Sequence, residues 1–288
     1  MSKWNQWYQK IFVGNPNKAD FTVKDLPKTR REQFFDVIKL RFTGMVTGNL
    51  LYTLFALPLL FWTLYFWFAV SQIQGQENIA EVLQGNLLIS FLTFCVPLYA
   101  IMGPAKAGLH YCLRNWAWNE RATVKEHFWK EFKRSFWKAL FLNLFTAMVL
   151  FAGIWWISVC LLNAETYPAL KFVAALIAVV MGLYFISSIY HFPQLVTYNL
   201  KVRQILKNGF IYTFVQLPRT LLAVLAYLAL ALACFFLWQV LLVVFLTMGM
   251  SFVFLAQTVY SQFLFDKYVN DPSKQRRGMA PQEQDAVR

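Results

Sequence analysis

Four apolar stretches of membrane-spanning length, and a fifth about twice as long, leave this chain few ways to fold. They run from Leu50 to Val70, Leu87 to Met102, Ala139 to Leu162, Leu170 to Val196 and Leu221 to Phe265. A helix needs roughly 20 apolar residues to cross a bilayer, and inside lipid its backbone satisfies its own hydrogen bonds. The fifth stretch divides into two spans at a tight turn near Trp238 and Gln239. The expectation is an all-α integral membrane protein with six transmembrane helices. Only 14% of residues are charged, against roughly 25% in soluble domains. Residues 1–48 form an amphipathic leading segment, 49–265 the membrane domain and 266–288 a disordered polar tail. The first long apolar run begins near Asn49, too late for a cleavable signal peptide.

The net charge of +13 could speak for nucleic acid, anionic lipid or topology, and the positions of the cations decide. Of 27 Lys and Arg, 26 lie before Asn49, between Lys106 and Lys138, between Lys201 and Arg219, or from Lys267 onward; only Lys171 falls elsewhere. Cations collect on the cytoplasmic side of membrane proteins, so both termini and the two long loops are expected there. The charge is then mostly topological, with contact to anionic lipid in addition and no nucleic-acid partner.

The amphipathic elements lie between the spans. Trp4, Trp7, Tyr8, Ile11 and Phe12 share one face of a short leading helix, and a second pattern from Lys28 runs into the first span. Pro58 is expected to kink that span. Beyond the second span, Thr123 and Glu126 form a capping-box pattern, followed by Phe128, Phe132, Phe136 and Leu140 at four-residue intervals. Glu126 and Lys130 are placed for a helix ion pair. With Trp129, Lys133, Arg134 and Trp137, this segment is a candidate surface for docking to membrane or partner. A second basic segment, Lys201 to Arg219, resembles it faintly enough to raise the question of a duplicated unit.

Candidates for chemistry are few. No Asp or Glu lies inside any span, which leaves Lys106, His110 and His191 as the ionisable groups near the spans. Each has a structural alternative, a snorkelling lysine or a neutral, hydrogen-bonded histidine. The three histidines lack metal-ligand spacing, and Cys95, Cys112, Cys160 and Cys234 read as small buried residues. No nucleophile, base and orienting group stand together, so no enzymatic activity and no cofactor are expected. Gly103 and Pro104 break the second span's pattern just before its first cation. Two readings stand, a kinked packing element or a bend whose freed carbonyl lines a cavity.

At this motif the chain resembles the YesL family of bacterial membrane proteins. The resemblance rests on Val96 and Pro97, on Gly103-Pro104-Ala105 with the small residues to Gly108 and Leu109, on FWKEFKRSFWKAL, and on the later QILKNG and QLPRTLL. It extends over about Lys39 to Tyr268. Lys106 departs from it, since the family more often carries a small or hydroxyl residue there. The family has no established biochemical activity. The resemblance implies a non-enzymatic protein of the bacterial cytoplasmic membrane, accessory to carbohydrate uptake beside an ATP-driven sugar permease. A self-contained small-solute transporter or channel and a membrane-surface sensor are the alternatives.

Overall fold

The computed structural model describes residues 29–73, 88–118, 120–218 and 244–270, together with 222 and 225. The leading tryptophan helix, the turn at Trp238 and Gln239, Cys234 and most of the expected fifth span lie outside these residues. All regular structure among the described residues is helical, and five helices are long and apolar enough to cross a membrane. The all-α membrane class follows from both observations.

Helix α1, Arg30–Ile73, has 44 residues and at 1.5 Å per residue extends about 66 Å. That is roughly twice a hydrocarbon core, and it is made up of two helical segments, the basic one and the first span, joined at a kink. Its single departure from helical dihedrals is at Arg41, with φ −121° and ψ 21°. Pro58 is accommodated without such a break, contrary to the expected kink. Trp67, Phe68, Phe61 and Leu64 are exposed on its far end, as a lipid-facing surface requires.

Helix α2, Leu88–Ala117, contains both Pro97 and Pro104. The helix therefore does not end at Gly103 and Pro104, where the apolar pattern breaks, but continues for three further turns. A short π-helical turn, Val124–Phe128, leads to α3, Trp129–Arg134, and a break at Ser135 precedes α4, Phe136–Leu162. Helix α5, Ala169–Ser188, is followed after Ile189 and Tyr190 by the short α6, His191–Thr197, so the apolar stretch is interrupted just before His191. Then come α7, Val202–Val215, a π-helical turn Phe245–Gly249, and α8, Met250–Tyr268.

Helix α2 is the axis of the bundle, packed against α1, α4, α6 and α8. Its largest core cluster gathers Met45, Leu109, Leu113, Trp116, Phe128 and Leu255. Helices α1 and α8 are joined by a polar clamp. The Asn49 amide donates to Leu246 O at 2.7 Å, and its oxygen accepts from Ser251 N at 2.8 Å. The Ser251 hydroxyl in turn donates to Met45 O at 2.8 Å. Leu246 lies in the π-helical turn, where the widened backbone leaves carbonyls open to such donors. The basic ends of these helices are tied by an ion pair between Arg30 and Asp266. Order thus extends past 266, where the polar tail was expected to start, because α8 holds Asp266 and Asn270 accepts a hydrogen bond from the Tyr198 hydroxyl.

The expected capping box is absent. Thr123 makes no side-chain cap; its amide donates instead to His127 Nδ1 at 3.2 Å, because the first turn is π-helical and places Glu126 outside. Glu126 and Lys130 form no ion pair. The segment's buried acid is Glu131, bonded to Ser135 and paired with Arg134 at 2.6 Å.

Candidate functional site

Helix α2 approaches α4 so closely that a Cβ on Gly103 would lie 2.3 Å from Ala139 O. That distance leaves room for glycine alone and identifies Gly103 as a helix-packing position. One turn beyond Ala139, Asn143 donates to Tyr99 O at 2.9 Å. Proline at 104 lacks the N–H that would bond Ala100 O, and the side-chain donor from α4 enters one residue earlier, at Tyr99 O. Gly103 and Pro104 therefore serve the α2–α4 contact, and the polar groups of interest lie one to two turns further on.

Lys106 and His110, four residues apart, share one face of α2. The half-buried Lys106 ammonium stands 4.5 Å from the Phe192 ring centroid and 5.2 Å from that of Phe254, a cation–π arrangement. The same two rings flank His110, stacked at 5.7 Å and 4.6 Å. Lys106 therefore does not snorkel outward. Among the described residues it has no carboxylate partner.

His110 Nδ1 lies 3.2 Å from Thr258 Oγ1, and the Thr258 hydroxyl donates to Phe254 O at 2.8 Å. With that proton committed, the hydroxyl can only accept from the ring, so His110 carries its proton on Nδ1. Its Nε2 is left as a fully buried acceptor with no partner among the described residues.

Further orphaned groups come from α6 and α8, the helices packed on this side of α2. Both ring nitrogens of His191, both amide atoms of Gln194 and the Ser261 hydroxyl are buried without a partner among the described residues. His191 is pressed against α7, since a Cβ on Gly209 would meet its Nε2 at 2.7 Å. Gln194 follows His191 by one turn, and Ser261 follows Thr258 by one turn. Each unsatisfied buried group costs about 1–3 kcal/mol, so an apolar core would be the more stable choice here. Among the described residues no three of His, Cys, Asp or Glu are grouped to hold a metal. The orphaned groups are hydrogen-bond donors and acceptors with one cation beside them, the kinds of group that hold polar or hydroxyl-bearing solutes.

The sequence-derived residues thus separate. Lys106 and His110 share the rings of Phe192 and Phe254, His191 precedes Phe192 on α6 and is pressed against α7, and Gly103 and Pro104 lie in the α2–α4 contact. Gln194, Thr258 and Ser261 went unnoticed because single polar residues in apolar runs give no periodic signal. The docking surface shrinks. Phe128 is fully buried in the core cluster, and Trp129 and Phe132 pack against it, because the π-helical turn directs this face inward. Phe136 is half-buried, and Lys133, Arg134 and Trp137 remain exposed.

Residues 82–159 match the family described as "Protein of unknown function, DUF624". The match spans α2, the π-helical turn, α3 and most of α4, and so includes Gly103, Lys106 and His110 but not His191. No curated protein and no solved structure matches the chain.

Proposed function

We propose that this is a non-enzymatic, YesL-type protein of the bacterial cytoplasmic membrane that assists carbohydrate uptake as a partner of an ATP-driven sugar permease. The reading joins the sequence resemblance to one observation, the exposed basic and aromatic patch of Lys133, Arg134 and Trp137 at the basic end of the bundle. Arg and Trp are enriched where proteins dock, and Trp137 is two-thirds exposed. On the charge distribution this end faces the cytoplasm. Pull-down of the full chain in mild detergent, with quantitative mass spectrometry, is expected to recover permease subunits, and Trp137→Ala to reduce that recovery. Repeated recovery without any transporter subunit argues against the proposal.

The orphaned groups of His110, His191, Gln194 and Ser261 favour a second reading, a self-contained transporter of a small polar solute. These residues are buried, so the solute would enter through a conformational change and not through a standing channel. Reconstitution into liposomes with a panel of sugars separates the two. Flux abolished by His191→Leu supports transport, and absence of flux with retained permease binding supports the partner role.

A further inference from the structure

Away from the orphaned centre, the basic end holds a pocket of about 470 Å³ between α2, the α3–α4 junction and the end of α6. Three cations, Arg114, Arg134 and Lys138, line it, together with Tyr111, Thr197 and Asn199. No acidic residue lines it, although Arg134 pairs with Glu131 behind it and Arg114 Nη2 lies a loose 3.6 Å from Glu120.

Arg114 is held as a fixed fork. Its guanidinium stands 4.3 Å from the Trp118 ring centroid and 5.1 Å from that of Tyr111, and Nη1 donates to Val196 O at 2.7 Å. Its Nε is buried with no partner among the described residues. The carbonyl end of α6 would repel an anion, and the Arg114 contact with Val196 O offsets that repulsion. Lys138 spends one donor on Asn199 Oδ1 at 2.9 Å and keeps two. The hydroxyls of Tyr111 and Thr197 have no partner among the described residues. A planar guanidinium edge, a lysine and free hydroxyls around one pocket match the oxygens of a phosphate group.

Depth indicates the source. Arg114 falls near the end of one span and Lys138 near the start of another. The neighbouring Trp137 and Phe141 are exposed, and tryptophan is enriched at the level of the headgroups. The pocket therefore opens at headgroup level, where basic pockets between spans take anionic lipid.

We propose that this pocket binds a phosphate group, supplied by the headgroup of an anionic phospholipid. The inference is independent of the uptake reading. Native mass spectrometry of the purified full chain tests it, with titration of phosphatidylglycerol, zwitterionic phosphatidylcholine and inorganic phosphate. Phosphatidylglycerol is expected to be retained at least tenfold better than phosphatidylcholine. Lys138→Gln is expected to remove most of that preference, and Arg114→Gln the remainder. Arg114 also stacks and binds a carbonyl, so Lys138→Gln is the variant that decides if Arg114→Gln fails to fold. Lys130→Gln, outside the pocket, is expected to leave retention unchanged. Displacement of the lipid by millimolar inorganic phosphate keeps the phosphate site but assigns it to a ligand from solution; resistance assigns it to lipid. Equal retention of both lipids, or equal losses from Lys130→Gln and Lys138→Gln, overturns the proposal.

Discussion

The two halves of α2 invert the usual relation between polarity and burial. From 88 to 101 the helix is almost wholly apolar, yet only Leu92, Cys95 and Ala100 are buried. From 102 to 117 it carries Lys106, His110, Arg114 and Asn115, yet nearly every residue is buried. The surroundings account for this. The first half faces lipid on much of its perimeter and needs apolar side chains there, whereas the second is enclosed by α1, α4, α6 and α8, which can pair or stack its polar groups. The pockets repeat the contrast. Beside the outer half of α2 and α4 lies an apolar crevice of about 430 Å³, lined by Leu92, Val96, Phe151 and Trp155 among others. Beside the inner half lies the basic pocket.

The largest test of this contrast is steric. Gly103→Leu forces a side chain against the Ala139 carbonyl and is expected to cost about 3 kcal/mol, read as a fall in thermal or denaturant stability in detergent. Thr93→Leu, on the lipid-facing half, is expected to change stability by less than about 0.5 kcal/mol. Equal effects would dissolve the distinction between the halves.

A second test uses hydrogen bonds. Asn49→Ala removes two contacts that bind α1 to α8 and is expected to cost about 1–2 kcal/mol. Thr63→Ala, whose hydroxyl only returns to Leu59 O in its own helix, should be nearly silent in the same assay.

The third is a gain. Gln194→Met replaces two orphaned polar atoms with apolar volume and is expected to raise stability by about 1 kcal/mol. It should abolish whatever solute dependence the centre confers, as at sites where function is held against stability. A loss of stability would show that the Gln194 amide is satisfied after all.

The smallest effect is one of pH. Burial holds the Glu131 carboxyl above its ordinary value near 4.5, against the lowering influence of Ser135 and Arg134. A carboxyl raised in the folded state contributes stability that is complete below the unfolded value and is lost as pH rises through the folded one. Wild type is therefore expected to lose stability relative to Glu131→Gln as pH rises from 4 toward neutrality. A constant difference between the two melting temperatures across that range would count against it.

The sequence made the membrane class legible because length and hydropathy report what lipid demands of a helix. It also marked Gly103, Lys106, His110 and His191, since small residues and charges stand out in apolar runs. The burial of α2 beyond Pro104 was not legible for the same reason. Hydropathy reports lipid exposure, and a protein-enclosed half resembles a surface segment on that scale. Phe128 was misassigned because a four-residue spacing fixes a helical face but not what that face meets. Thr258 meets His110 across two distant helices, and the burial of Gln194 and Ser261 depends on helix packing, neither of which a local pattern encodes.

The enclosure of the inner half of α2 is most directly measured by hydrogen–deuterium exchange on the full chain in lipid nanodiscs. Amides from 105 to 117 are expected to exchange as slowly as those from 88 to 101, since both belong to one helix buried by different surroundings. Exchange of 105–117 as fast as that of the exposed residues near 121 would mean that the helix ends at Pro104, and would contradict the enclosed polar centre on which this account rests.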